Sequence, residues 1–120
     1  MKALIIIAHG SRRQQSNDEI VGMVNAVRTR TRDKYDLVLH SYLEICAPSL
    51  PAAVSDAIEQ GADNITVYPF FLNSGNHVLR DIPKMIEELD RANAGVIFHL
   101  MPHFGKSENI PDLIADHVKS

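Results

Sequence analysis

The chain holds one cysteine, Cys46, and no tryptophan, and only four phenylalanines and three tyrosines supply its aromatic rings. A lone thiol excludes an internal disulfide framework and fits a reducing compartment. Basic residues are no surplus either: 12 Lys and Arg stand against 15 Asp and Glu, for a formal charge of -3. No global basic field is therefore available to recruit nucleic acid or an anionic membrane, and an anionic ligand would have to be met by local arginines. No stretch approaches the roughly 20 apolar residues of a membrane span, and the apolar run after Met1-Lys2 is too short for a signal-peptide core. These absences predict a cytoplasmic protein. What is present is ordinary: 120 residues, 45% hydrophobic and 22% charged, the composition of one soluble domain over 1–120. No repeat, low-complexity tract or linker interrupts it.

Strands and helices alternate along the chain. Ala3-Leu4-Ile5-Ile6-Ile7-Ala8 is fully apolar and reads as a buried parallel strand. A helix over about 13–32 follows, with Ile20, Val24, Val27 and Thr31 on one face. Residues 35–43 form a second strand that alternates Leu37, Leu39, Ser41 and Leu43 with Val38, His40, Tyr42 and Glu44, the pattern of an edge strand or of a ligand-facing end. Pro48 and Pro51 open a helix that Gly61 stops, with Leu50, Val54, Ala57 and Ile58 inward. A third strand covers 64–68, and a helix over 80–92 carries Ile82, Met85, Ile86 and Leu89. The last strand covers 96–100, and a helix over 108–118 carries Ile110, Leu113, Ile114 and Val118. This order predicts an α/β fold: a four-stranded parallel sheet in the order 2-1-3-4, with right-handed crossovers and helices on both faces.

In such a sheet the ligand side is the edge at the strands' carboxyl ends. His9-Gly10-Ser11-Arg12 leaves the first strand there, with Gly10 free to approach a ligand and Ser11 placed to cap the next helix. Glu44 ends the second strand. A second glycine-flanked histidine, His77, lies in Asn73-Ser74-Gly75-Asn76-His77 after the third. Topology thus predicts that two imidazoles and a carboxylate converge on one edge, a set suited to cobalt, nickel, iron or zinc ions.

Three blocks carry a family resemblance: His9-Gly10-Ser11-Arg12, then Leu43-Glu44-Ile45-Cys46-Ala47-Pro48-Ser49, and then the segment from Pro69-Phe70-Phe71-Leu72 through His77-Val78-Leu79-Arg80-Asp81-Ile82-Pro83. In this order and register the chain resembles the class II tetrapyrrole chelatases, and most closely their small sirohydrochlorin cobaltochelatase type. The resemblance implies a chelatase-like half-lobe. It implies ATP-independent insertion of a divalent metal ion (Co²⁺ foremost, alternatively Ni²⁺ or Fe²⁺) into sirohydrochlorin, in cobalamin- or siroheme-type tetrapyrrole biosynthesis. His9 and His77 would hold the metal, with Glu44 assisting, and Ser11, Arg12 and Arg80 would meet the substrate. The metal is itself a substrate, and no organic cofactor is implied. The family's larger enzymes carry two lobes facing one cleft, so a single lobe implies a homodimer around the macrocycle. A histidine-rich insertion known from some nickel-inserting members is missing here, which leaves the metal open.

Plainer readings stand beside these. Glu44 could cap the helix that starts near Pro48, and His40 could be a partly buried edge residue. Cys46 could be a small apolar filler, and Phe70 and Phe71 could pack beneath the loop. His103 could reach the same edge, whereas His117 suits a helix C-terminus. Other enzyme classes fail on residues: Ala8 stands where a histidine phosphatase needs arginine, and no Gly-x-Ser-x-Gly elbow or glycine-rich nucleotide motif occurs. The remaining alternative is a carrier that binds metal or tetrapyrrole without turnover.

Overall fold

The computed structural model describes residues 1–75 and 80–120. Four strands, β1 (Lys2–Ala8), β2 (Leu37–Tyr42), β3 (Asn64–Pro69) and β4 (Ile97–Leu100), alternate with helices α1 (Gln14–Arg30), α2 (Leu50–Glu59), α3 (Ile82–Ala92) and α4 (Ile110–Lys119). The sheet is parallel throughout and ordered β2-β1-β3-β4. The expected order holds because the most apolar strand needs a neighbour on each side. Ala3 through Ala8 are all buried, with Ile5 pairing Leu39 on one flank and Val67 on the other.

The two faces bury different sets. Ile5, Ile7, Ile65 and Val67 pack against Leu50, Val54 and Ala57 of α2 and Ile82 of α3, with Met85, Ile86 and Leu89 alongside. Leu4, Ile6 and Val38 on the opposite face meet Val24, Ile20, Met23 and Val27 of α1. Burying one Leu, Ile or Val contributes about 1.5–3 kcal/mol, so the central strand and its helices dominate the stability. The stripe expected for α4 is different: Leu113, Ile114 and Val118 are 48%, 56% and 77% exposed. A 3-10 turn, Phe104–Lys106, which periodicity did not predict, precedes that helix.

Helix ends correct two expectations. Arg13, not Ser11, occupies the N-cap position of α1, with no side-chain cap hydrogen bond; Ser11 Oγ instead accepts the Arg13 N–H at 3.0 Å. Helix α2 begins at Leu50 rather than at Pro48, and Ser49 Oγ caps it by accepting the Ala52 N–H at 3.2 Å. Glu44 is therefore released from the capping role that was its plainer reading.

Candidate metal centre

The carboxyl ends of β1 and β2 are stitched into one platform. Leu43 N–H donates to the Ala8 carbonyl at 2.8 Å, and Glu44 N–H to the His9 carbonyl at 3.1 Å. The parallel register thus continues one step past the sheet and sets His9 beside Glu44. Imidazole Nε2 lies 3.3 Å from Glu44 Oε1, while Nδ1 lies 3.3 Å from the Gly10 carbonyl. The Phe71 and His9 rings stand nearly perpendicular, at 82°, with a centroid separation of 6.3 Å. Both side chains of the pair are half-exposed and open to solvent.

Gly10 makes this approach possible. Its φ is +99°, and a Cβ there would lie 2.1 Å from the Glu44 carbonyl oxygen. Beyond Glu44, Ile45 has φ +75°, a left-handed conformation that β-branched residues avoid. Ile45 is nevertheless exposed. Backbone strain of this kind clusters at functional sites. Cys46 N–H donates to the Glu44 carbonyl at 2.9 Å and closes the loop.

Asn17, a buried polar residue of α1, fixes the other side. Its Oδ1 accepts the Ser11 N–H at 3.1 Å, and its Nδ2 donates to the Ser11 carbonyl at 2.7 Å. The Tyr42 hydroxyl, pushed above its usual pKa first by burial, donates to the Asn17 carbonyl at 3.0 Å. Asn17 thereby ties the His9 loop to the helix through its side chain, and the helix to the edge strand through its backbone carbonyl. Sequence reasoning missed Asn17. Its only signal was an amide in the otherwise apolar register of α1.

Two depressions open on this edge, both bordering the first turn of α3. One, about 360 Å³, is lined by Leu43, Glu44, Asp81, Lys84, Met85 and Glu88. The other, about 660 Å³, has Ser74, Pro83, His103 and Lys106 in its wall. His103 is thus on the expected edge. Ser11 is half-buried, Arg12 and Arg80 are exposed, and His77 lies outside the described residues. Among the described residues no three His, Cys, Asp or Glu side chains gather into a metal-holding group; His9 and Glu44 are the pair brought together.

Residues 3–120 match the CbiX family. A sirohydrochlorin cobaltochelatase of Methanocaldococcus jannaschii is 40% identical over 86 residues, covering 72% of this chain and 59% of that protein. A chloroplastic sirohydrochlorin ferrochelatase of Arabidopsis thaliana is 30% identical over 97% of this chain and 51% of its own length. The matches thus span between half and three fifths of these curated relatives. Among solved structures, a chain described as a cobalamin (vitamin B12) biosynthesis CbiX protein of Marinobacter aquaeolei VT8 superposes with a TM-score of 0.76 at 32% identity, covering 99% of this chain and 95% of that one. The sirohydrochlorin chelatase SirB of Bacillus subtilis subspecies spizizenii, in complex with cobalt, shares the fold with a TM-score of 0.87 at 21% identity. That match covers 98% of this chain but 50% of SirB.

Proposed function

The chain belongs to the CbiX family, and on that premise we propose that it inserts a divalent metal ion, Co²⁺ foremost, into sirohydrochlorin. The observation that carries this reading is the His9–Glu44 pair on the ligand edge of the sheet. Its 3.3 Å nitrogen–oxygen separation matches two donors bound side by side to one first-row cation. With bonds of about 2.1 Å, such donors stand roughly 3.0–3.4 Å apart in octahedral and tetrahedral coordination. A cation held between them would keep coordination positions open for the incoming ring nitrogens. His77 is the proposed second imidazole.

Insertion requires two pyrrole protons to leave the ring while the cation exchanges its water and protein donors for ring nitrogens. Glu44 is the proposed acceptor for one of these protons once the metal departs, with the His9 imidazole beside it. Arg12 and Arg80 would meet substrate carboxylates, and the Ser11 hydroxyl would add a hydrogen bond. Sirohydrochlorin is flat and broad, and the platform covers one side of it. A homodimer placing a second platform across the ring agrees with this chain matching half of SirB. A cytoplasmic setting fits the single cysteine.

The test is turnover. Substoichiometric protein should convert excess sirohydrochlorin and Co²⁺ above the background rate, followed by the macrocycle's visible spectrum, with Ni²⁺ and Fe²⁺ run in parallel. His9→Ala and His77→Ala should each abolish the acceleration. A rate equal to background alongside tight metal binding would establish a carrier instead.

A further inference from the structure

We infer that Ile45 and Leu72 are the apolar supports on which the face of the macrocycle rests, seating the flat ring over His9. The inference takes the identity of the ligand from the chelatase reading and everything else from the geometry of the rim. The strand order β2-β1-β3 puts the loops after β2 and β3 on either side of the loop that carries His9. Neighbouring strands stand about 4.8 Å apart, so those two loops leave the sheet about 10 Å from one another, a span suited to a flat conjugated ring. Each carries a large apolar side chain in solvent: Ile45 is 57% exposed and Leu72 65%. Each also directly follows a residue that meets His9. Glu44, before Ile45, pairs with the imidazole, and Phe71, before Leu72, sets its ring nearly perpendicular to it.

Neither loop is free to fold its apolar tip away. A Cβ on Gly10 would lie 2.1 Å from the Glu44 carbonyl oxygen, in the peptide that leads into Ile45, and Cys46 N–H donates to that same oxygen at 2.9 Å. A Cβ on Gly105 would lie 1.6 Å from the Leu72 carbonyl oxygen, and Gly105 N–H donates to the Phe71 carbonyl at 2.9 Å. The Phe104 ring, beside Gly105, packs on Phe70 at 5.1 Å. Both tips are thus mounted on backbone held close by a glycine of a facing segment. Ile45 is in addition β-branched at φ +75°, a conformation that no burial offsets in so exposed a residue. Strain and exposure together suit a side chain whose contacts form with a ligand.

Ligand sites join apolar walls to a few placed polar groups. Here the polar groups are His9 and Glu44 for the cation and the exposed Arg12 and Arg80 for carboxylates. A tetrapyrrole divides in the same way, with apolar faces inside a rim of carboxylates. Ile45 and Leu72 supply the apolar part, and they hold the ring whether or not a cation is present.

The test follows binding of metal-free sirohydrochlorin to the full-length protein through the macrocycle's visible spectrum, with Co²⁺ affinity, insertion kinetics and solution mass measured alongside. Ile45→Asn and Leu72→Asn should each weaken macrocycle binding about 10-fold and raise KM alike, with kcat and the Co²⁺ dissociation constant held. Leu72→Met should recover most of what Leu72→Asn loses. Ile45→Asn should lose affinity while its melting temperature rises, a combination that a purely structural role does not produce. Unaltered binding in either Asn variant overturns the inference, while wild-type insertion leaves the chelatase reading standing. Weakened binding in the variants of a wild type that binds without turnover supports the inference and makes the protein a carrier. A wild type that does not bind the macrocycle overturns both. A variant whose solution mass differs from the wild type assigns the pair to a contact between copies and overturns the inference. Should a variant fail to fold, NOEs from the ring's meso protons to the Ile45 and Leu72 methyls of the wild type decide, and their absence overturns the inference.

Discussion

Replacing Gly10 by alanine tests whether the His9–Glu44 spacing is what the site depends on. The added methyl would stand 2.1 Å from the Glu44 carbonyl oxygen, where real contacts keep beyond 3.0 Å, so one backbone must withdraw by about 1 Å. The φ of +99° adds a conformational cost of about 1–2 kcal/mol for any residue with a Cβ, and overpacking adds about 1–3 kcal/mol. A domain of this size has about 5–15 kcal/mol in hand, so the variant stays folded. What it loses is registration: displacing a reacting group by 1 Å costs on the order of 100-fold in rate. Gly10→Ala should therefore retain its circular dichroism while Co²⁺ insertion slows about 100-fold and metal affinity drops. Gly22→Ala is the control. It lies in α1 with nothing within 4 Å of the added carbon, so it should stabilise by about 0.5–1 kcal/mol and insert metal normally. An insertion rate for Gly10→Ala close to wild type would refute the reasoning, as would an equal loss in the control.

Asn17→Ala removes both bonds to the Ser11 backbone and should destabilise by about 2–3 kcal/mol, read from urea midpoints, with slower insertion as the loop loosens. Ile45→Asn relieves a left-handed isoleucine and should raise stability by about 1 kcal/mol; an unchanged melting temperature would deny the strain. His40 is held below its usual pKa, first by burial and then by the Arg28 charge. Below pH 6.5 the unfolded chain therefore takes up the proton first, and stability falls until the folded value is passed. His40→Gln should flatten that part of the urea-midpoint profile between pH 7.5 and 5. Imidazoles cease to be ligands once protonated, so insertion should also decline in acid; a rate flat down to about pH 5 would contradict histidine ligation.

The sheet was legible because its signals are redundant. An unbroken apolar β1 demands neighbours on both sides, and polar His40 and Glu44 mark β2 as an edge, so one strand order remains. The platform was legible for a related reason: a parallel sheet sends every strand end the same way, which brought Glu44 to His9 without local spacing. Capping was less readable. Ser11 and Ser49 look alike in sequence, but a helix accepts only the residue whose oxygen meets its free N–H groups, and that depends on where the chain turns. Asn17 gave only a faint signal, an amide in an apolar register, because its partners are backbone atoms of a loop. Helix α4 shows the limit of periodicity, which reports that a stripe exists but not which surface receives it.

The Asn17 clasp also sets how the His9 loop breathes. Both backbone groups of Ser11 are engaged by a residue embedded in α1, so the Ser11 amide is shielded as if it belonged to the helix. Deuterium should enter there at the pace of helical opening, far slower than a surface loop ordinarily allows. The loop that carries His9 is in this sense an outgrowth of the helix, and it loosens only when the helix does.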